Sequence, residues 1–535
     1  MQIKHQTARW QTLPELIEDK ARTNGDAPFI EVDGSKLTYR ELERESARLA
    51  AGLARAGVQQ GEKVASQLYN CIEQLLLWFA VNRLGAIWTP LNASLRGKDL
   101  SYTLGDCRAR LFFVDEETAE NLATLDAAQR ADLSVYGVAG ALPPGARPFE
   151  ELMQAEGPAP AVEVSPHDVA MIIYTGGTTG LPKGVMLPQF SFICAGYRYA
   201  EAFDVTAADR HYTTLPLFHA AAIQFAVMGP LVNDMTSVID RRFSVSAYWP
   251  RVREVGATMI DPIGTIVSLL CQQPETKEDR AHGVRLALGI TGQIPEAIPR
   301  TFKRRFGIPM VDMYGLTEAG GAMITTNRLH DYVEGSNGKT YGWVELAIFD
   351  ENDEPVPPGT IGEIVLRPTV ASMFMTGYCN NPKRTLECYR NLWFHTDDLG
   401  YLDEGGSLFF VGRHVHWLRR RGENVSAYEI ESILSEHPGI QEVVVVGVPA
   451  ELGEEEIKAC IIPDPDSTPD PVGLITWAKD RMAAFKLPRF ICYVEDFPRS
   501  ATKREVERAK IKAWPNEGVW DREAVMGRFS AQSKR

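Results

Sequence analysis

Residues 174–187 read YTGGTTGLPKGVML and follow directly on the apolar run DVAMII at 168–173. Four glycines, three threonines and one lysine in so short a span are the ingredients of a phosphate cradle. Glycines let backbone N–H groups approach an anion, Thr175, Thr178 and Thr179 add hydroxyl donors, and Lys183 adds charge. The pattern is not the G-x-x-x-x-G-K-[ST] loop, because Leu181–Pro182 separates Gly180 from Lys183 and Gly184 follows the lysine. On composition alone the stretch reads equally as a phosphate cradle or as a flexible surface turn. The apolar run before it reads as a strand.

Working outward, apolar runs alternate with helical patterns. LTYRELERESARLAAGLARAGV, 37–58, opens with Thr38 and Glu41 in capping-box spacing, places Leu42, Leu49 and Leu53 on one face, and ends at Gly57. EKVASQLYN, IEQLLLWFAVNRLG, AIWTPLN and ARLFFVD continue the alternation, which predicts parallel sheets covered by helices. The rhythm returns in VAMIIYT, HYTTLPL, GATMIDP, VRLALGIT and IPMVDMY, so two such sheets are expected in roughly the first 330 residues. From Trp343, WVELAIFDENDEPVPPGTIGEIVLRP reads as two strands joined by a Pro/Gly/Asp turn, the start of a β-rich unit. Beyond about residue 416 a helix, two strands, the loop DPDSTPDP and another helix read as a small α+β unit. The expected fold is α/β: an N-terminal domain, 1–415, of two α/β sheets plus a β-barrel-like subdomain at about 340–412, and a small mobile α+β C-terminal domain, 416–535.

The chain of 535 residues is too long for one core, and 44 % hydrophobic with 24 % charged residues fits a soluble globular protein. A net charge of −14 argues against nucleic acid or an anionic membrane as partner. The eight cysteines form no C-x-x-C pair and read as reduced thiols in a cytoplasmic protein. The first residues carry no secretory apolar core, no run has membrane-spanning length, and the last residues are not a peroxisomal S-K-L signal.

Four ordered motifs carry a resemblance to the adenylate-forming superfamily of acyl-CoA synthetases, peptide-synthetase adenylation domains and luciferase. Residues 174–184 resemble its phosphate loop Y-T-S-G-T-T-G-x-P-K-G, with Gly176 in place of the common serine. MYGLTE, 313–318, is similar to Y-G-x-T-E. WFHTDDLGYLDEGGSLFFVGR, 393–413, is similar to W-x-x-T-G-D-x-G…G-R, and GENVSAYEIE, 422–431, is similar to a segment of the family's small domain. FHAAAIQ, RRFSVSAYW and RRGENVSAYEIE resemble AMP-forming ligases of the carnitine/crotonobetaine-CoA type.

The resemblance implies an ATP-dependent acid–thiol ligase that makes an acyl-CoA through an acyl-adenylate, with ATP, Mg2+ and coenzyme A. It implies ATP contacts from Thr175, Gly176, Gly177, Thr178, Thr179, Gly180 and Lys183. Gly292, Gln293, Asp312 and Tyr314 would surround adenine, and Asp398 and Arg413 would meet the ribose. Glu318 and Thr178 would hold the metal, Thr317 the α-phosphate, and His219 the acid side. Arg421, Gly422, Glu423 and Asn424 are the candidates for CoA, and His416 for the hinge. The family's final lysine maps to Lys503, with Arg504 second and a plain charged helix start as the alternative.

Other readings stay open: an adenylation enzyme that loads a carrier protein, or a non-catalytic nucleotide- or acyl-binding homologue. Asp397 replaces the family's glycine and puts a second negative charge next to Asp398. The small residues of EAGGAM, 318–323, predict a roomy acyl pocket beyond Glu318. His414 and His416 share one strand face without a third metal ligand. The expected partners are a small carboxylic acid, ATP and CoA, with no nucleic acid, no membrane span, and a homodimer as the oligomeric expectation.

Overall fold

The computed structural model describes residues 8–140, 142–177, 180–263, 265–289, 297–413, 417–420, 423–449, 455–479, 481–482, 486–499 and 506–526. Two eight-stranded sheets, a five-stranded sheet, a two-stranded hairpin and a four-stranded sheet follow from these residues. The fold is mixed α/β, with a large N-terminal domain built on the first three sheets and a small C-terminal domain built on the last two.

Local chemistry sets the helices. The helix Tyr39–Arg55 begins at the capping box of Thr38 and Glu41, whose side chain and backbone bonds are both made. Leu42, Leu49 and Leu53 on its inner face are wholly buried. The helix Ile72–Arg83 is apolar nearly all round, and Gln74 to Asn82 are buried without a break, as expected of a helix enclosed by neighbours. Its Trp78 stacks on Trp88 with ring centroids 5.8 Å apart and meets Phe192 edge-on at 5.5 Å.

The sheets do not sort by sequence order. One runs in the spatial order Gly321–Thr326, Met310–Leu316, Leu286–Gly289, Met259–Ile260, Arg210–Thr213, Thr236–Ile239, Pro28–Val32, Ser35–Thr38. Its interior pairings are parallel and its two outermost are antiparallel. The other runs Gly377–Tyr378, Gly180–Pro188, Val169–Gly177, Ile87–Leu91, Lys63–Gln67, Leu111–Asp115, Ser134–Val138, Arg147–Pro148. The apolar run before the glycine-rich loop therefore joins the strands of the first 140 residues, while Pro28–Val32 crosses to the later set. One apolar cluster unites Phe29 and Val32 with Val64, Trp88 and Phe113 across the two sheets.

The β-rich unit is built as its sequence suggests. Val344–Phe349 and Gly362–Pro368 pair antiparallel, and Trp393–Leu402 adds to the second of them and carries Leu408–Arg413. Asp350 shapes the connecting turn by accepting from the backbone N–H of Asn352 and Glu354. In the C-terminal domain Ile440–Pro449, Glu455–Pro463, Phe490–Tyr493 and Trp520–Asp521 form one sheet, with the helices Ala427–Leu434 and Pro471–Lys479. Leu418, Ile430, Val443, Ile457, Ile475 and Ile491 share a core of their own. The last two strands of that sheet and the hairpin of Trp417–Arg420 with Glu423–Ser426 are elements the sequence pattern did not reveal.

Candidate active site

The glycine-rich stretch is the tip of a β-hairpin. Val169–Gly177 and Gly180–Pro188 pair with Tyr174 opposite Gly184, Thr175 opposite Lys183 and Gly177 opposite Gly180, and Thr178 and Thr179 stand between the two strands in sequence. Those two residues lie outside the described set. Tyr174 anchors the base of the hairpin by donating to Asp106 Oδ2 at 2.6 Å. Burial, then the neighbouring Cys107 and Asp106, push its phenol far above the usual range, so it stays a donor.

On the free side of the hairpin, Gly377 and Tyr378 pair with Met186 and Val185. This places Tyr378, buried to 5 %, between two groups picked out from the sequence. Its hydroxyl donates to Glu318 Oε1 at 2.8 Å, and Lys183 Nζ stands 5.6 Å from its ring centroid. The Met375 N–H also donates to the Glu318 carbonyl at 2.8 Å, so one short segment holds both the backbone and the side chain of that glutamate. Glu318 itself sits in the 3-10 turn Thr317–Ala319 that follows the strand Met310–Leu316.

Four residues before Glu318, Tyr314 lies on that same strand. Its hydroxyl donates to Asp398 Oδ2 at 2.8 Å, and its ring stacks on Phe410 with centroids 5.8 Å apart. Tyr314 and Asp398 are each 6 % exposed. Asp398 belongs to Trp393–Leu402 and pairs with Arg413, so the β-rich unit delivers this carboxylate to the parallel sheet. Asp312 is in register with Gly289 on the neighbouring strand, and one of its carboxylate oxygens accepts from the Met313 N–H at 2.8 Å.

Asp397 does not bring the extra charge that the sequence suggested. Its backbone is left-handed, with φ of 59°, the conformation for which glycine is the ordinary choice. That turn swings its carboxylate outward to 60 % exposure and onto Arg384 Nη2 at 2.7 Å. The Asp397 N–H donates to Glu363 Oε1 at 3.1 Å, and the Asp398 N–H donates to Thr396 Oγ1 at 3.1 Å. Behind them Glu363, Asp353 and His395 form a cluster with metal-ligand spacing, but Arg390 reaches all three within 3.3 Å and supplies the positive charge itself.

The small residues after Glu318 do not open a pocket either. Gly320 and Gly321 have φ of 76° and 106°. A Cβ on Gly320 would meet the Met373 carbonyl oxygen at 2.4 Å, and one on Gly321 would meet Gln224 Nε2 at 1.6 Å. Gln224, 2 % exposed, donates to the Gly320 carbonyl and fills the space. The glycines serve close backbone approach, and a side chain at either position would disturb this packing. His219 precedes Ala220–Ala222, half-buried, with its ring 4.6 Å from that of Phe218.

The structure thus brings together Thr175, Lys183, Glu318, Tyr314, Asp312 and Asp398, and places Gly176, Gly177 and Gly180 at the hairpin tip. Thr317 begins the Glu318 turn, and Glu423 and Asn424 lie on the C-terminal hairpin. Gly292, Gln293, His414, His416, Arg421, Gly422, Lys503 and Arg504 lie outside the described residues. Tyr378 and Gln224 escaped the sequence reading. TGYCNN, 376–381, looks like a turn, and only strand pairing carries Tyr378 to the glutamate. Two clefts of about 620 and 300 Å3 elsewhere, at the ends of Pro28–Val32 and Leu111–Asp115, contain none of the candidate ATP-, metal- or CoA-binding residues, although Arg241 of RRFSVSAYW lines both. There Arg241 and Arg242 lie over Tyr69 and pair with Glu117.

Two carboxylates held by tyrosine hydroxyls, a lysine over one of the tyrosine rings and glycine-rich backbone are groups whose chemistry is compatible with an anionic ligand and an oxygen-liganded cation. Comparison with known proteins points the same way. Residues 17–379 match the AMP-binding enzyme family and 429–504 match the AMP-binding enzyme C-terminal domain. A crotonobetaine/carnitine–CoA ligase of Escherichia coli O8 (strain IAI1) is 30 % identical over 513 residues, covering 93 % of this chain and 98 % of its own. The structure of the anthranilate CoA ligase AuaEII in complex with anthranoyl-AMP superposes with a TM-score of 0.84 at 23 % identity, over 96 % of this chain and 98 % of that one. O-succinylbenzoate coenzyme A synthetase (MenE) from Bacillus subtilis, in complex with ATP and magnesium ion, gives 0.80 at 24 % identity, over 93 % and 99 %.

Proposed function

Because the chain belongs to the AMP-binding enzyme family, a family of AMP-forming acyl-CoA ligases that use ATP and CoA, we propose that it joins a small carboxylic acid to CoA through an acyl-adenylate. The observation that carries the reading is the pair of contacts from Tyr314 to Asp398 and from Tyr378 to Glu318, the second of them at the tyrosine whose ring faces Lys183 of the hairpin.

In this reading Tyr314 packs adenine, Asp312 meets its amino group, and Gly292 and Gln293 line it. Asp398 accepts from both ribose hydroxyls, with Arg413 beside it. Residues Thr175 to Lys183 cradle the triphosphate through backbone N–H groups, hydroxyls and one ammonium. Glu318 and Thr178 offer only oxygen ligands, which suits a hard cation such as Mg2+. When bound there, that ion would neutralise charge on the departing pyrophosphate. An oxygen of the substrate carboxylate attacks the α-phosphorus, the bond from that phosphorus to the bridging oxygen breaks, and pyrophosphate leaves. Thr317 and Lys503 hold the charge that develops on the α-phosphate, and His219 borders the acid. The CoA sulfur then attacks the acyl carbon, and AMP departs with the electrons of the carbon–oxygen bond.

The domain boundary follows at 415/416, with His416 as the hinge and Arg421 to Asn424 guiding CoA. The match of 429–504 to a C-terminal domain falls within the smaller part. Among the described residues no helix is long and apolar enough to cross a membrane, and the eight cysteines are unbridged, which supports a cytoplasmic setting. A homodimer remains part of the proposal, read by light scattering.

The test is ATP–pyrophosphate exchange with a panel of acids headed by crotonobetaine and carnitine, followed by mass spectrometry of products formed with ATP and CoA. Exchange and an acyl-CoA mass for at least one acid are expected, whereas nucleotide binding without exchange for any acid makes the chain a non-catalytic homologue. Lys503→Ala is expected to abolish exchange while sparing thioester formation from supplied acyl-adenylate. The same outcome in Arg504→Ala instead moves the register by one residue.

A further inference from the structure

Tyr378 stands where three parts of the proposed site meet. Its backbone pairs with the outgoing strand of the hairpin at Val185, its hydroxyl donates to Glu318 Oε1 at 2.8 Å, and its ring faces the ammonium of Lys183 at 5.6 Å. The Cys388 thiol adds a weak contact to the hydroxyl at 3.9 Å. Among the described residues the bond to Tyr378 engages Oε1 and so limits the rotation of the carboxylate. A hydroxyl that fixes a metal-binding carboxylate raises metal affinity by sparing the cost of ordering that ligand. An ammonium within about 6 Å of an aromatic centroid is attracted by the ring's negative face.

We propose that Tyr378 is the positioning residue that sets the metal-binding carboxylate of Glu318 and the phosphate-binding ammonium of Lys183 in register with each other. It acts only through those two groups and serves the adenylation half-reaction, in which metal and triphosphate take part. Thioester formation from acyl-adenylate needs neither group and is outside its reach. This inference rests on the adenylation reading above and adds to it a residue with a stated half-reaction.

The experiment measures binding of α,β-methylene-ATP by calorimetry, with Mg2+ and with EDTA, in the full-length protein. In Tyr378→Phe the Mg2+-dependent gain in affinity is expected to fall about tenfold, in the range found when partners of metal ligands are removed. Binding in EDTA and thioester formation from supplied acyl-adenylate stay within about twofold of the parent, because the ring under Lys183 is kept. Tyr378→Leu, which removes the ring too, also weakens binding in EDTA. In a Glu318→Ala background, Tyr378→Phe has no further effect on the Mg2+ dependence.

Unchanged Mg2+ dependence in Tyr378→Phe overturns the assignment. So does an equal loss in both half-reactions with a lowered melting temperature, since that outcome makes the tyrosine a packing residue. Parent protein whose nucleotide binding ignores Mg2+ altogether sinks the adenylation reading instead, and so tells the two failures apart.

Discussion

Asp398 and Glu318 each accept a hydrogen bond of 2.8 Å from a tyrosine hydroxyl, yet their surroundings differ. Asp398 is 6 % exposed, lies on the strand Trp393–Leu402 where its N–H is tied to Thr396 and that of Asp397 to Glu363, and has the stacked rings of Tyr314 and Phe410 beside it. Glu318 is half-buried in a short turn, held through Met375 and Tyr378, with the Lys183 ammonium over the Tyr378 ring. A buried, rigid acceptor suits neutral hydroxyls, whose positions do not change during reaction. An open carboxylate with a cation nearby suits a metal and a phosphate tail that arrive and leave. In the proposed reaction the same side-chain chemistry is put to two uses by burial and by what backs it.

This contrast can be broken at four points. The largest effect is expected from Asp398→Ala, which strands the Tyr314 hydroxyl and deletes two charge-assisted bonds. A loss of about 3 kcal/mol, roughly a hundredfold in kcat/KM for ATP, should follow. Calorimetry with AMP in EDTA should show a weakened complex as well. AMP affinity equal to the parent's would remove Asp398 from the ribose. Glu318→Ala should lose about tenfold or more in Mg2+-dependent exchange yet leave AMP binding within about twofold, because AMP carries no pyrophosphate. Equal losses of AMP and ATP binding would erase the distinction between the two carboxylates.

Next comes Gly321→Ala, whose methyl would overlap Gln224 at a position of positive φ. It should cost about 1–3 kcal/mol of stability, read as a lower melting temperature, and Gln224→Ala in the same chain should recover part of it. Full recovery is not expected, since an alanine there still carries backbone strain. The smallest effect belongs to Asp397→Gly. It relieves a left-handed non-glycine residue and deletes a surface ion pair to Arg384, two terms of opposite sign and each about 0.5–1 kcal/mol. KM for ATP should stay within about twofold, and a large rise would mean that the Asp397 carboxylate faces the ribose after all.

Much of the fold was legible because its signals are local. The Thr38/Glu41 capping box, the buried face of Leu42, Leu49 and Leu53, and the Asp350 turn between two strands each depend on neighbours in sequence. The C-terminal hairpin and the strands Phe490–Tyr493 and Trp520–Asp521 were not legible, because they are short and their pairing partners lie far away along the chain. In the site, Thr175, Lys183, Tyr314, Glu318 and Asp398 were found from the motif resemblance. Tyr378 lies in none of the motifs and Gln224 only ends the stretch FHAAAIQ with no role assigned there, and their importance comes from contacts across 60 and 96 residues.

By itself the sequence determined the alternation of strands and helices, the glycine- and threonine-rich loop with its lysine, and the order of motifs that marks the family. These are properties of residue type and spacing, which a chain carries before it folds. Tertiary structure alone decided which strands share a sheet, that Asp397 turns away to Arg384, that Gly320 and Gly321 are packed instead of open, and that a tyrosine joins Glu318 to the hairpin. Those outcomes are set by close packing and long-range pairing. Both depend on which surfaces meet in space, and no local window of sequence contains that information.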